Sequence, residues 1–195
     1  MYKAVIFDFF GVFCPDLVFQ WFKTLPDHEA KLDQLSEMCS RSDHGQLSRD
    51  GLYKELAALA EVPVEQVIAA IESDDTVNHE LVAFARELRQ QGIKSACLSN
   101  GSHEWTTAAI RQHSLEDLFD EIVLSSELQI AKPDPRIYEH ALTRLAVQPS
   151  EAIFVDDRSV NTDAAEACGI KSIIFDDTEE SIQLLARAFK TDINK

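Results

Sequence analysis

From about residue 79 onward the chain alternates short apolar runs with amphipathic stretches, and this rhythm limits the fold more than any other feature. The β-favouring runs fall at 93–99, 121–124, 152–155 and 171–175, after a first one at 5–7. Helical periodicity is expected between and after them, over 79–91, 104–113, 135–146, 160–168 and 178–190. Gly92 and Gly169 stand where helix ends favour glycine. Strand–helix alternation of this kind predicts an α/β chain with an open parallel sheet covered by helices on both faces. Such sheets bind ligands beyond the carboxyl ends of their strands. The segment 14–78 breaks the rhythm. It contains no convincing strand and reads as helices at 16–25, 29–40, 49–61 and 64–73, with Ser48 as an N-cap and Pro63 in a first turn.

The 195 residues suit one compact domain carrying a smaller insertion. The expected division is a core of 1–13 and 79–195 with a helical unit of 14–78. A formal net charge of −16, with no run of Lys or Arg, argues against nucleic acid as a partner. The N-terminal apolar run is interrupted by Asp8, is too short to span a bilayer and lacks a cleavage-type flank. Cys14, Cys39, Cys97 and Cys168 share no metal-ligand or redox spacing, as expected of reduced thiols in a cytoplasmic protein. Oligomeric state is not legible, because no self-association stripe stands out.

Polar residues gather at the strand ends. Asp8 closes the run Ala4-Val5-Ile6-Phe7, and Asp156-Asp157 close Ala152-Ile153-Phe154-Val155. If these strands are neighbours, three carboxylates converge, repel one another and call for a cation. Hard oxygen ligands with room for water fit Mg²⁺ better than zinc. Ser99-Asn100-Gly101-Ser102, between a strand and a helix, offers a hydroxyl, an amide and backbone N–H groups to an anion. Lys132 lies in Ala131-Lys132-Pro133-Asp134-Pro135, where two prolines stiffen the backbone, and could hold a phosphate beside the carboxylates. Each string also has a plainer reading: a loop-capping Asp, a charged turn before a helix, an ordinary turn, a solvated lysine.

Together and in order, FDFFGVF, LSNGS, AKPDPRIY and FVDDRSVN resemble the four motifs of the haloacid dehalogenase superfamily over nearly the whole chain. The later strings look most like the subgroup of sugar-phosphate phosphatases and epoxide hydrolase N-terminal phosphatase domains. The resemblance implies a Rossmann-like core with a small helical cap inserted after the first strand. It also implies a Mg²⁺-dependent hydrolase acting on a small phosphorylated metabolite, a sugar phosphate among the candidates. Asp8 would be the nucleophile, forming an aspartyl-phosphate. Ser99, Asn100 and Gly101 would hold the phosphoryl oxygens, and Lys132 would steady nucleophile and phosphate. Asp8, the Phe10 backbone carbonyl and Asp157 would ligate the metal, with Asp156 in contact directly or through water.

One position departs from that pattern. Most phosphatases of the superfamily carry a second Asp two residues after the nucleophile, as general acid and base, and this chain has Phe10. No nearby side chain is an obvious substitute, Asp16 and His103 being the two to suggest, so the expectation is a slow enzyme or one that acts on esters whose leaving group needs little protonation. Two other readings follow from Phe10: a 2-haloacid dehalogenase, which the paired Asp156-Asp157 disfavours, and a catalytically weak or silent phosphate-binding protein. Trp21, Phe22, His44 and Tyr53 of the insertion are the candidate pocket residues.

Overall fold

The computed structural model describes residues 2–73, 76–176 and 178–193. Five strands, β1 (Ala4–Phe7), β2 (Lys94–Ser99), β3 (Glu121–Leu124), β4 (Ala152–Asp156) and β5 (Lys171–Ile174), form one parallel sheet in the order β3-β2-β1-β4-β5. Four helices follow β1: α1 (Leu17–Phe22), α2 (Leu32–Asp43), α3 (Arg49–Ala60) and α4 (Val64–Ile71). The remaining helices are α5 (His79–Gln90), α6 (His103–Gln112), α7 (Ser125–Leu128), α8 (Pro135–Leu145), α9 (Ser159–Ala167) and α10 (Glu179–Ile193). All five strands fall within a residue or two of their predicted positions. The short α7 and a 3-10 turn at His28–Lys31 were not predicted, because four-residue elements carry too little periodicity to read.

Alternation along β1 builds both faces of the core. Val5 and Phe7 point to one side, among Leu81, Ala85 and Leu88 of α5, Ile110 of α6 and Phe189 of α10. Ala4 and Ile6 point to the other, among Ile137, Tyr138 and Ala141 of α8 and Ala165 of α9. A central parallel strand is buried on both faces, so its sequence is continuously apolar. The helices from α1 to α4 enclose a third apolar cluster of their own, centred on Phe22, Leu52, Tyr53, Leu56 and Val67. Ser48 caps α3 as predicted, its hydroxyl accepting from the Gly51 amide at 3.1 Å. Pro63 stands just before α4 rather than inside it.

Register fixes what lies at the sheet's carboxyl edge. Phe7 pairs with Val155 on one side and Cys97 on the other. Asp8 is therefore level with Asp156, and Ser99 is one residue further along its own strand. None of the cysteines is disulfide-bonded, and no helix among the described residues is long and apolar enough to cross a membrane.

Candidate active site

At that edge a buried triad forms. The Lys132 ammonium lies 2.7 Å from Asp8 Oδ1 and 2.7 Å from Asp156 Oδ2. All three side chains are almost completely removed from solvent. Burial pushes the Asp8 carboxyl well above its ordinary range; Lys132 opposes this and Asp156 adds to it. Burial also works against the Lys132 ammonium, but the charges of Asp8 and Asp156 outweigh it and hold its pKa above the usual value. Asp157 reaches the same cluster: one carboxylate oxygen from each of Asp8, Asp156 and Asp157 lies within 4.8 Å of the others. Partial desolvation and the neighbouring Asp156 push the Asp157 carboxyl up.

Gly11 makes room for this crowding in two ways. Gly11 adopts a φ of +89°, and a β-carbon there would sit 2.5 Å from the Asp157 carboxylate. Only glycine serves at that position, for both reasons. Three carboxylates against a single ammonium leave a surplus of negative charge, and the oxygen-only donor set suits a hard divalent cation. Residues Asp8 and Asp157 fit such an ion. Asp156 is more heavily engaged: Lys132 donates to Oδ2, the Arg158 amide donates to Oδ1 at 2.9 Å, and the buried Asn161 amide donates to both oxygens at 2.9 and 3.0 Å. Asp156 acts first as the anchor of Lys132 and of the turn into α9. Asn161 was not singled out from the sequence, although it closes the string FVDDRSVN. An Asn five residues after a strand-end Asp carries no distinct pattern.

The predicted anion-holding residues divide. The Ser99 hydroxyl is buried and has no hydrogen-bond partner within the described protein, an uncommon state for such a group. The Asn100 side chain instead clamps the loop of Lys132, donating to its carbonyl at 2.9 Å and accepting from its amide at 2.8 Å. The Gly101 amide donates to the Ser125 hydroxyl at 3.1 Å. Asn100 and Gly101 thus hold the site together through groups already in use.

A cavity of about 900 Å³ opens above the cluster, between the sheet edge and the inserted helices. Asp8, Lys132 and Asp157 form its floor, and Phe10, Leu17 and Trp105 are among its apolar walls. Phe10 packs edge-on against Phe9 at 5.1 Å, so the side chain two residues after Asp8 brings no acid. Of the four pocket residues proposed for the insertion, only His44 lines this cavity. Phe22 and Tyr53 are buried in the helices' own core, and Trp21 packs against it. The Tyr53 hydroxyl donates to Glu72 at 2.9 Å and accepts from the Trp105 indole at 3.1 Å, which ties the insertion to α6. His103 stands outside the cavity, exposed and paired with Glu127 at 2.6 Å. Asp16 lines the cavity but caps α1, accepting from the Phe19 amide at 3.0 Å.

A model of the haloacid dehalogenase-like hydrolases matches residues 2–169. The chain belongs to that family. It is 28% identical over 185 residues to the sesquiterpene phosphatase astK of Aspergillus oryzae, with 91% of each chain covered. It is 36% identical over 101 residues to (S)-2-haloacid dehalogenase 1 of a Pseudomonas strain; that stretch spans 49% of this chain and 44% of that enzyme. Among solved structures, the Bacteroides thetaiotaomicron family enzyme bt-2542, in complex with magnesium and inorganic phosphate, superposes with a TM-score of 0.70. The two share 20% identity over 89% of this chain and 94% of that one, a likeness of fold. The open parallel α/β sheet predicted from the alternation, and the Rossmann-like core that the motif resemblance implied, are the fold of this family.

Proposed function

We propose that this hydrolase is a Mg²⁺-dependent phosphatase that cleaves a small phosphate monoester through an aspartyl-phosphate on Asp8. The observation that carries the reading is the grouping of Asp8, Asp156 and Asp157 within 4.8 Å, with one buried ammonium between two of them. Asp8 is the nucleophile, held by Lys132 and by the Phe9 amide, which donates to Oδ1 at 2.7 Å. The Ser99 hydroxyl supplies a hydrogen bond to a phosphoryl oxygen. Lys132 keeps Asp8 aligned and stabilises negative charge on the transferring group. Asp8, Asp157 and the Phe10 backbone carbonyl would hold the cation, with Asp156 in contact directly or through water. When bound, the ion neutralises charge on the phosphoryl group during transfer. Residues 14–78 act as a cap that closes over the substrate and selects it. The phosphatase relative that aligns over nine-tenths of the chain supports this assignment.

A second reading, a metal-independent 2-haloacid dehalogenase, is favoured by the local identity to (S)-2-haloacid dehalogenase 1 and by Phe10. The surplus of carboxylate at Asp156 and Asp157 weighs against it. A panel of phosphate monoesters assayed with graded Mg²⁺, beside chloride release from 2-chloropropionate in EDTA, separates the two. Phosphate release that rises with Mg²⁺ and stops in EDTA supports the phosphatase; chloride release in EDTA with no phosphate release overturns it.

A further inference from the structure

A phosphatase that lacks the second Asp still has to deliver a proton to a basic leaving group, and Phe10 cannot. The leaving oxygen departs away from Asp8, toward the cap. We propose that Asp43, the last residue of α2, is the general acid and base of this enzyme, acting from the cap. This rests on the phosphatase reading above and extends it to a residue that the family motifs do not contain.

Three observations carry the assignment. First, Asp43 lines the same cavity as Asp8, Lys132 and Asp157. Second, the end of α2 is pinned to the core. Gly45 has a φ of +69°, and a β-carbon there would meet the Ser126 carbonyl of α7 at 2.6 Å. Ser42, beside Asp43, is buried, and its carbonyl accepts from the Gly45 amide at 2.9 Å. The turn following Asp43 thus rests on the segment that leaves β3, at the carboxyl edge of the sheet where Asp8 lies. Third, the half-buried Asp43 carboxylate makes no hydrogen bond or ion pair to any described residue, whereas the other candidates are occupied. Asp16 caps α1, and His103 is paired outside the cavity. A desolvated carboxyl with free oxygens over a reaction cavity is what proton transfer requires.

The charged groups around Asp43 come from every side of the cavity. His44 follows it on the chain, its Nδ1 bonded to the Ser40 carbonyl at 2.7 Å. Lys132 and Arg158 of the core and Asp16 of the segment before α1 complete the set. Burial pushes the Asp43 carboxyl up to about 6; Asp16 adds to this, and His44, Lys132 and Arg158 oppose it. An acid near that value gives and takes protons efficiently around neutrality.

The steps balance. An Asp8 carboxylate oxygen attacks phosphorus, the bond from phosphorus to the ester oxygen breaks, and the Asp43 proton moves to that oxygen, releasing the alcohol. Asp43, now a carboxylate, takes a proton from the incoming water as its oxygen attacks phosphorus. The Asp8–phosphorus bond breaks, inorganic phosphate leaves, and both aspartates return to their starting states.

The test compares two substrates of similar size and unequal leaving groups, benzyl phosphate and 4-nitrophenyl phosphate, at saturating Mg²⁺. In Asp43→Asn, kcat/KM for benzyl phosphate is expected to fall about 100-fold or more, and that for 4-nitrophenyl phosphate by less than about 5-fold. The retained aryl activity reports that the variant is folded. Asp43→Glu should recover benzyl turnover, and adding Phe10→Asp to Asp43→Asn should do so as well, by returning an acid to the core. Equal losses on both substrates, no loss on either, or a wild type that cleaves the aryl ester but not the benzyl ester overturns the role of Asp43. A wild type that cleaves neither, whatever its metal, overturns the phosphatase reading itself.

Discussion

Replacing Lys132 with Met removes the single cation between Asp8 and Asp156 while keeping a chain of similar length against the Phe154 ring, which lies 5.6 Å from the ammonium. At 2.7 Å each ion pair carries about 6 kcal/mol of attraction at an effective dielectric of 20. Most of that is offset by the cost of taking three charges out of water, so the net worth of the triad is small. Removing one partner is different, because two carboxylates then remain buried, close and unpaired. The expected loss is about 3–5 kcal/mol at pH 8 in EDTA, a large share of the stability of a domain this size. The pH dependence has a definite sign. Without Lys132 the buried carboxyls bind protons more tightly folded than unfolded, so the variant is penalised least near pH 4. Its deficit against wild type grows as pH rises toward 8. Urea unfolding followed by circular dichroism at pH 5 and pH 8, with EDTA and with excess Mg²⁺, measures this directly. The deficit should be larger at pH 8 and should shrink when Mg²⁺ supplies the missing positive charge. A deficit below about 1 kcal/mol at pH 8, or one that ignores both pH and Mg²⁺, would refute the view that Lys132 is what allows these carboxylates to be buried together.

Asp43→Asn should be more stable than wild type at pH 8 by about 1–2 kcal/mol and equal to it near pH 4. A shift from 3.8 to about 6 is worth at most about 3 kcal/mol, and partial exposure reduces it; melting curves at the two pH values check this. Ser99→Ala removes a buried hydroxyl that bonds to no described residue, so its melting temperature should hold or rise while KM for phosphate esters increases. Gly11→Ala forces a side chain into the Asp157 carboxylate at a positive φ and should weaken Mg²⁺ binding at least 10-fold by calorimetric titration, beyond any loss of stability. Asn161→Leu leaves the Asp156 carboxylate without two of its four hydrogen bonds and should lower kcat with little change in KM, seen in steady-state kinetics.

The sheet was legible because buried parallel strands are written as continuous apolar runs, and the runs ending at Asp8 and Asp156 needed only to be neighbours to define the edge. Lys132 was legible as a rigidly placed cation, and the structure sets it between two carboxylates. The insertion was not readable in the same way. Phe22 and Tyr53 lie at helical spacing whether they face a cavity or their own core, and sequence periodicity does not distinguish these cases. Asn100 and Gly101 sit where an anion site was expected, yet their polar groups satisfy Lys132 and Ser125, partners set by tertiary contact. Asp43 was invisible for a related reason. Nothing in its own string separates an acid over a cavity from a helix-end aspartate in solvent; the tertiary packing that puts it on the cavity wall, with Gly45 against Ser126, is not written locally.

The most direct measurement is the covalent state of Asp8 during turnover. The enzyme, mixed with 4-nitrophenyl phosphate and Mg²⁺ and quenched in acid within the first turnover, should yield one phosphorylated peptide, the one containing Asp8. That adduct should be missing when EDTA is present and missing in Asp8→Asn. Phosphate release without an adduct on Asp8, together with full activity in Asp8→Asn, would contradict the assignment at its root.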